Sequence, residues 1–150
     1  MKLKEKLLLT AAEKNWKWLT SLMLMFGTNI EVRGEFGYTA LILASRNGYL
    51  SMVKFLISKG ANVNAHSDLK RTAMMQAIRG GGHLEVIKYL YSKGANVNAA
   101  DRNKETPIMY AARGTYTDIA KYLCWAGADI NAENNDGYTA VMLAGRLFCV

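Results

Sequence analysis

One six-residue segment recurs along this 150-residue chain at an almost constant interval. Residues 60–65 read Gly-Ala-Asn-Val-Asn-Ala, and residues 94–99 are identical to them. Residues 127–132 are a close copy, and residues 27–30 are a fainter one. The intervals between these segments are 33, 34 and 33 residues. A fixed period in this range predicts a stack of short structural units, each packed only against its neighbours.

Each period predicts two helices followed by a loop. In residues 36–68, Thr39 can cap the first helix because its hydroxyl can accept a hydrogen bond from a free backbone N–H. Gly48 then interrupts the pattern, and a second amphipathic segment extends to Lys59. Gly60 ends this helix, since glycine readily adopts the left-handed conformation. The sequence therefore predicts an all-α fold in a single domain. The predicted units of this domain are residues 1–35, 36–68, 69–101, 102–134 and 135–150.

The two ends of the chain are predicted to differ in polarity. A terminal unit needs a polar outer face because it has a neighbour on one side only. The first helix of the N-terminal unit meets this need with Lys2, Lys4, Glu5 and Lys6. The C-terminal half unit instead ends in the apolar residues 147–150, and large exposed apolar patches mark interfaces. We expect a monomer, with a dimer through this C-terminal segment as the alternative.

The motifs in these units resemble the ankyrin repeat. Residues 37–41 read Gly-Tyr-Thr-Ala-Leu, and residues 105–108 read Glu-Thr-Pro-Ile. Both are similar to the Thr-Pro-Leu-His pattern of that 33-residue repeat. The resemblance covers essentially the whole chain. It implies a solenoid of about four and a half repeats with hairpin-like loops and a concave groove.

Two features depart from the ankyrin pattern. The segment Gly80-Gly81-Gly82 has one extra residue between the two helices of its unit, which accounts for the interval of 34. The His of the pattern is absent, and we expect an apolar row rich in methionine in its place. This row consists of Ile42, Met75, Met109 and Met142.

Four arginines share one position in the repeat, seven residues after each capping threonine: Arg46, Arg79, Arg113 and Arg146. The resemblance implies that this position lies near the end of the first helix and faces the concave groove. Stacked units would space the arginines about 10 Å apart. A guanidinium binds carboxylate or phosphate bidentately and stacks on aromatic rings. The alternative is that these arginines merely complement the helix C-termini.

A second group of candidates lies at the loop tips. In ankyrin repeat proteins these loops project beside the groove and provide much of the contact surface. Residues there vary from unit to unit, as a binding surface requires, and Tyr and Arg are favoured at the energetic centres of interfaces. The loop-tip candidates are Phe36, Tyr38, Leu69, Arg71, Asn103, Glu105 and Tyr138.

The residues that most often perform chemistry do not form a recognisable constellation. His83 occupies a turn position where a structural role is expected, and His66 lies in a loop. Neither Cys124 nor Cys149 has metal-ligand spacing, and Cys124 is expected to be a buried thiol. Trp16, Trp18 and Trp125 are expected to be local packing residues. We therefore predict no catalytic residues, no metal and no cofactor.

The sequence thus predicts a non-catalytic module that binds a partner protein in the cytoplasm, or in the cytoplasm of another cell as an effector. The net charge is +7, and residues 36–101 have eight basic side chains against three acids, which favours an acidic partner. An adaptor, an effector or inhibitor, and an immunity-type protein all fit. The alternative is a polyanion binder that holds nucleic acid or anionic lipid on the middle repeats. We expect the aromatic residues to lie mainly in core rows, which disfavours this alternative.

Overall fold

The computed structural model describes residues 2–145, and most of these residues are in α-helices. Arg146 and the apolar segment 147–150, which were expected to bind a partner and to form an interface, lie outside the described residues. The helices are α1 (Leu3–Glu13), α2 (Lys17–Met25), α3 (Ala40–Arg46), α4 (Leu50–Ser58), α5 (Ala73–Gly81), α6 (Leu84–Ser92), α7 (Pro107–Arg113), α8 (Thr117–Trp125) and α9 (Ala140–Gly145). We call the odd-numbered helices first helices and the even-numbered ones second helices.

The first helices begin where the repeated threonines predict. Thr39, Thr72 and Thr139 each accept a hydrogen bond at 3.4 Å from the backbone N–H three residues later. Thr106 makes no such bond, but Pro107 occupies the first position of α7. Proline suits that position because its missing N–H would have no partner there. The predicted caps are therefore confirmed at three of the four threonines.

The core is a linear stack of helices. Helix α1 packs on α3, α3 on α5, α5 on α7 and α7 on α9, while α4 packs on α6. One cluster of buried apolar side chains extends from α1 to α9. Ile42, Met75 and Met109 are fully buried in it, so the predicted apolar row is part of the core at these positions. Met142 differs, since 52% of its surface is exposed.

Repeated asparagines join the second unit to the third and the third unit to the fourth. The Asn64 side chain donates from Nδ2 to the Gly94 carbonyl oxygen at 3.1 Å, and its Oδ1 accepts from the Asn96 N–H at 2.9 Å. Asn98 makes the same two bonds to the following unit, at 3.1 and 2.8 Å. Each bridging amide thus satisfies one backbone acceptor and one backbone donor of its neighbour. The repeated segment therefore fixes the stacking as well as the loop.

The three-glycine segment lengthens α5 and permits a close approach. Helix α5 has nine residues, whereas α3 and α7 have seven. A Cβ at Gly80 would overlap the Arg46 carbonyl oxygen, so the backbones of α3 and α5 touch at this point. Gly82 then ends α5 in the left-handed conformation, with φ of 67°. His83 Nε2 lies 3.1 Å from the same Arg46 oxygen, which gives this histidine the structural contact expected of it.

The expectation that Cys124 is buried is wrong, because this residue is exposed. The buried side chains of α8 are Ile119 and Leu123, and Cys124 follows Leu123 by a rotation of about 100° around the helix. Trp125 is also largely exposed, although its ring centroid lies 5.5 Å from that of Tyr122.

The N-terminal unit is less polar on its outside than predicted. Helix α2 exposes Trp18 and Met25, at 68% and 80% of their surfaces, and Phe26, directly after the helix, is 65% exposed. Trp18 was expected to be a packing residue, and this is wrong. The reason is that α2 buries Thr20 and Met23, which lie on a different side of the helix. The charged residues predicted to give a polar face are at the start of α1. Lys4 reaches this surface and donates to the Phe26 carbonyl oxygen at 3.3 Å, but the three apolar side chains stay exposed.

We predict that Asn64→Ala lowers the free energy of unfolding by about 1–2 kcal/mol, since it removes two hydrogen bonds between units. Asn131→Ala is the matched control. Asn131 has the same repeat position, but its side chain makes no hydrogen bond to another unit within residues 2–145. Urea denaturation measures both values. An equal loss of stability in the two variants would contradict a bridging role for Asn64.

We also predict that Gly80→Ala destabilises the protein by about 1–3 kcal/mol, because the added methyl group must displace the Arg46 backbone. The control is Gly145→Ala, in α9, where a Cβ meets no atom of residues 2–145 within 4 Å. There the better helix propensity of alanine should leave stability unchanged or slightly higher. Thermal and urea unfolding monitored by circular dichroism give the comparison. A Gly80→Ala protein as stable as the control would refute the close contact.

Candidate functional site

The loop tips form a continuous strip beside the first helices. Each loop tip accepts a backbone hydrogen bond from the next one, at about 3 Å. The side chains of Phe36 and Leu69 remain available to a partner, since 70% and 41% of their surfaces are exposed. The bonds join the carbonyl oxygens of Phe36, Leu69 and Asn103 to the N–H groups of Asp68, Arg102 and Asn135 respectively.

At two of the capping threonines, the residue before the threonine reaches the first helix of the next unit. The Tyr38 hydroxyl accepts a hydrogen bond from Gln76 Nε2 at 3.1 Å. Arg71 Nε donates to the Tyr110 hydroxyl oxygen at 3.0 Å. Tyr38 and Arg71 therefore contribute to the contact between units, and neither side chain is free to move independently of its neighbour.

A buried carboxylate organises the loop between α6 and α7. Asp101 Oδ1 accepts hydrogen bonds from the backbone N–H groups of Asn103 and Glu105, at 2.8 and 3.0 Å. Its Oδ2 accepts from the Tyr110 hydroxyl at 2.7 Å and lies 3.6 Å from Arg71 Nε. Each group around the Asp101 carboxylate is a hydrogen-bond donor or a cation, so the buried negative charge is compensated. The loop tip at Asn103 is thereby held rigidly against α7.

The Tyr110 hydroxyl is the centre of this network. Burial raises the pKa of the hydroxyl above its ordinary value, and the hydrogen bond to Asp101 and the charge of Asp101 raise it further. The hydroxyl therefore stays protonated at neutral pH. It can donate to Asp101 while it accepts from Arg71, so the order of the three groups is fixed.

Arg71, Arg79 and Arg113 meet in one cleft of about 510 Å³ between α5 and α7. We call it the arginine cleft. Arg113 lies within 2.5 Å of the Glu105 carboxylate and Arg71 lies near Asp101, whereas Arg79 has no ion-pair partner among residues 2–145. The complete lining is Arg71, Ile78, Arg79, Asn103, Glu105, Tyr110, Arg113, Gly114 and Tyr116.

A second cleft, of about 290 Å³, lies between the first two units. We call it the aromatic cleft because the rings of Phe36 and Tyr38 line it, with centroids 6.0 Å apart. Arg46 lies in its wall together with Lys6 and Glu13. The predicted arginine row is therefore divided between two clefts.

Most of the predicted binding residues are thus brought together on one face. Three of them fall outside the two clefts. Leu69 lies on the strip of loop tips, the half-buried Tyr138 belongs to the last described loop, and Arg146 is outside the described residues. The expected spacing of the arginines and their contact with a partner remain predictions.

Sequence reasoning missed Gln76, Tyr110 and Tyr116. The first two share one repeat position, four residues after the capping threonine, with Leu43 and Leu143. A change from leucine to a polar or aromatic residue at an otherwise apolar position was the available signal. The sequence signal for Tyr116 was weaker, because a tyrosine also occupies the corresponding position before α4.

The second helices present another surface that the sequence did not predict. Phe55, Tyr89 and Tyr122 share one repeat position and are half-buried on α4, α6 and α8. Lys54 Nζ and Lys93 Nζ lie 5.5 and 5.4 Å from the centroid of the Tyr89 ring, which is the geometry of a cation–π contact. These rings pack against the core, as expected, but they also lie beside lysines. The expectation that the aromatic residues are not interleaved with basic residues is therefore wrong for these helices.

Two further features are absent from residues 2–145. No group of three or more His, Cys, Asp or Glu side chains has a geometry that could hold a metal ion. No helix in this range is both long enough and apolar enough to cross a membrane.

Comparison with known proteins identifies the repeat. A family model described as ankyrin repeats (3 copies) matches residues 7–101, and one described as ankyrin repeats (many copies) matches residues 92–144. The chain belongs to the ankyrin repeat family. The predicted all-α ankyrin solenoid is confirmed, and ankyrin repeats are generally non-catalytic modules for protein–protein interaction.

One ankyrin protein similar to this chain is the Ankyrin repeat and KH domain-containing protein mask-1 of Caenorhabditis elegans. The two are 36% identical over 78 residues, which are 52% of this chain. The same stretch is 3% of the length of the worm protein. The similarity therefore concerns the repeat architecture and extends to a small part of that relative.

We predict that Tyr110→Phe lowers the free energy of unfolding by about 1–2 kcal/mol at neutral pH, because Asp101 and Arg71 both lose a partner. The native pKa of Tyr110 is raised, so its contribution is fully present below about pH 10 and declines as pH rises above that value. The difference between wild type and Tyr110→Phe should therefore shrink in alkali. Urea denaturation across this pH range measures it.

Tyr49→Phe is the control, because the Tyr49 hydroxyl makes no hydrogen bond within residues 2–145. It should leave stability nearly unchanged. If Tyr110→Phe is equally mild, the buried network does not organise the loop.

Proposed function

We propose that this ankyrin repeat protein binds an acidic surface of a partner protein through its first helices and loop tips. The observation that supports this best is that eight of the candidate residues line two clefts on that face, and that each cleft contains at least one of the recurring arginines. In this role the chain is a cytoplasmic adaptor, inhibitor or immunity-type protein. Binding, rather than catalysis, is its activity.

The charges on this face support an acidic partner. Arg46 and Arg79 have no ion-pair partner among residues 2–145, so a carboxylate of another protein can pair with either one. Exposed Phe36 and Leu69 add apolar contact area next to these charges. An interface of this kind combines hydrophobic anchors with charge complementarity, which accelerates association and selects the partner.

A second candidate function is polyanion binding along the second helices. It is favoured by the row of Phe55, Tyr89 and Tyr122, which alternates with lysines as single-stranded nucleic acid sites do. The rings are half-buried and lysines already lie over two of them, so the faces offered to a base are limited. For this reason we place protein binding first.

The test compares two charge-reversal variants in a pull-down from lysate of the source cell. In one, Arg46, Arg79 and Arg113 are changed to Glu, and in the other Lys54, Lys88 and Lys121 are changed to Glu. Both change the net charge equally, and circular dichroism verifies that each is folded. We expect the arginine variant to lose the partner, with affinity reduced roughly tenfold or more, and the lysine variant to retain it.

Retention of every partner by the arginine variant at unchanged affinity would refute the proposed site. Nucleic acid or anionic vesicle binding that weakens steeply with salt, and that only the lysine variant loses, would favour the second candidate instead.

A further inference from the structure

We propose that the arginine cleft accepts a single carboxylate side chain of the partner, with Arg79 as the residue that binds it. This inference rests on the proposed function and makes it more specific. The ligand group is an Asp or Glu carboxylate in an exposed segment of a protein, and it enters between α5 and α7.

The first argument is the distribution of charge in the cleft. Arg71 lies 3.6 Å from a buried Asp101 oxygen, and Arg113 makes a short ion pair with Glu105. Each of these guanidinium groups is therefore neutralised within the molecule. Arg79 is the cation of the cleft that remains without a carboxylate among residues 2–145. The cleft consequently has a surplus of one positive charge.

The second argument is how rigidly the cleft is built around this charge. Arg71 is held by the Tyr110 hydroxyl, and Tyr110 is held in turn by Asp101. On the other side, a Cβ at Gly114 would overlap the Tyr116 ring, so this ring lies directly on the α7–α8 turn. The walls are therefore fixed before a ligand arrives, which reduces the entropy that binding must overcome.

The third argument decides between a carboxylate and a phosphate. A phosphate group has a charge of about −1.5 to −2 at neutral pH. Glu105 also lines the cleft and would repel the additional negative charge. A carboxylate has one negative charge, which matches the surplus in the cleft. Its two oxygens also match the planar fork of a guanidinium.

The test is a double-mutant cycle with a selected peptide. A library of random peptides is selected for binding to the full chain, and each Asp or Glu of the tightest binder is replaced in turn by Asn or Gln. Affinities are then measured by calorimetry for wild type and for Arg79→Gln. We expect one acidic position whose replacement weakens binding roughly tenfold to wild type and has little effect on Arg79→Gln.

Arg46→Gln is the matched control, because Arg46 is equally without an ion-pair partner among residues 2–145 but lies in the aromatic cleft. It should not show coupling to the same peptide position. A peptide with phosphoserine at that position should bind more weakly than the parent. Tighter binding of the phosphopeptide would overturn the assignment to a carboxylate.

The outcomes separate this inference from the function on which it rests. Peptides that bind in competition with the natural partner, but without coupling to Arg79, would overturn the carboxylate site and leave the binding face intact. Failure to select any peptide that the triple arginine variant loses would contradict both.

Discussion

The bridge made by Asn64 and Asn98 is the constraint on which the remaining structure depends. Each amide bonds a carbonyl oxygen and an N–H of the next unit, so a unit cannot shift along the stack without leaving two backbone groups unpaired. A buried polar group left without its hydrogen bond costs more free energy than a formed hydrogen bond contributes. The period of the sequence therefore follows from geometry, because the segment that ends the second helix of one unit must also position the next unit. Because this function is performed by identical residues, other positions are free to vary.

The variable positions then take different roles according to what faces them across the unit boundary. At the position before the capping threonine, Tyr38 meets Gln76, whereas Arg71 meets Tyr110. Arg71 is thus a candidate binding residue and also a part of the stacking contact. The neighbouring Asp101 carboxylate compensates the positive charge of Arg71, so Arg71 attracts an anionic ligand less strongly. A loop-tip arginine cannot be counted as a free charge until the neighbouring unit is known.

This distinction explains what the sequence could and could not predict. The helices, most of the capping bonds and most of the buried apolar row depend on local patterns, and the structure has them where the repeat indicates, with Thr106 and Met142 as the exceptions. Cys124 and Trp18 were misjudged because their exposure depends on which side of a second helix faces the core, and an apolar run conceals that direction. The division of the arginines into two clefts depends on side chains in successive units. The change from leucine to tyrosine at position 110 was visible in the sequence. The role of Tyr110, however, depends on Asp101 and Arg71, which belong to the preceding unit.

The same dependence bears on the selectivity of the proposed binding face. If all three arginines of the cleft were unpaired, it would attract any anion, and phosphates most strongly. Asp101 and Glu105 reduce this attraction without removing the guanidinium groups, whose planar surfaces and spare N–H donors remain. In the proposed role, the cleft distinguishes ligands by fit and by a single charge. A basic chain gains from such internal compensation because nonspecific polyanion binding would otherwise compete with its partner. The internal acids are therefore as much a part of the proposed recognition as the arginines they neutralise.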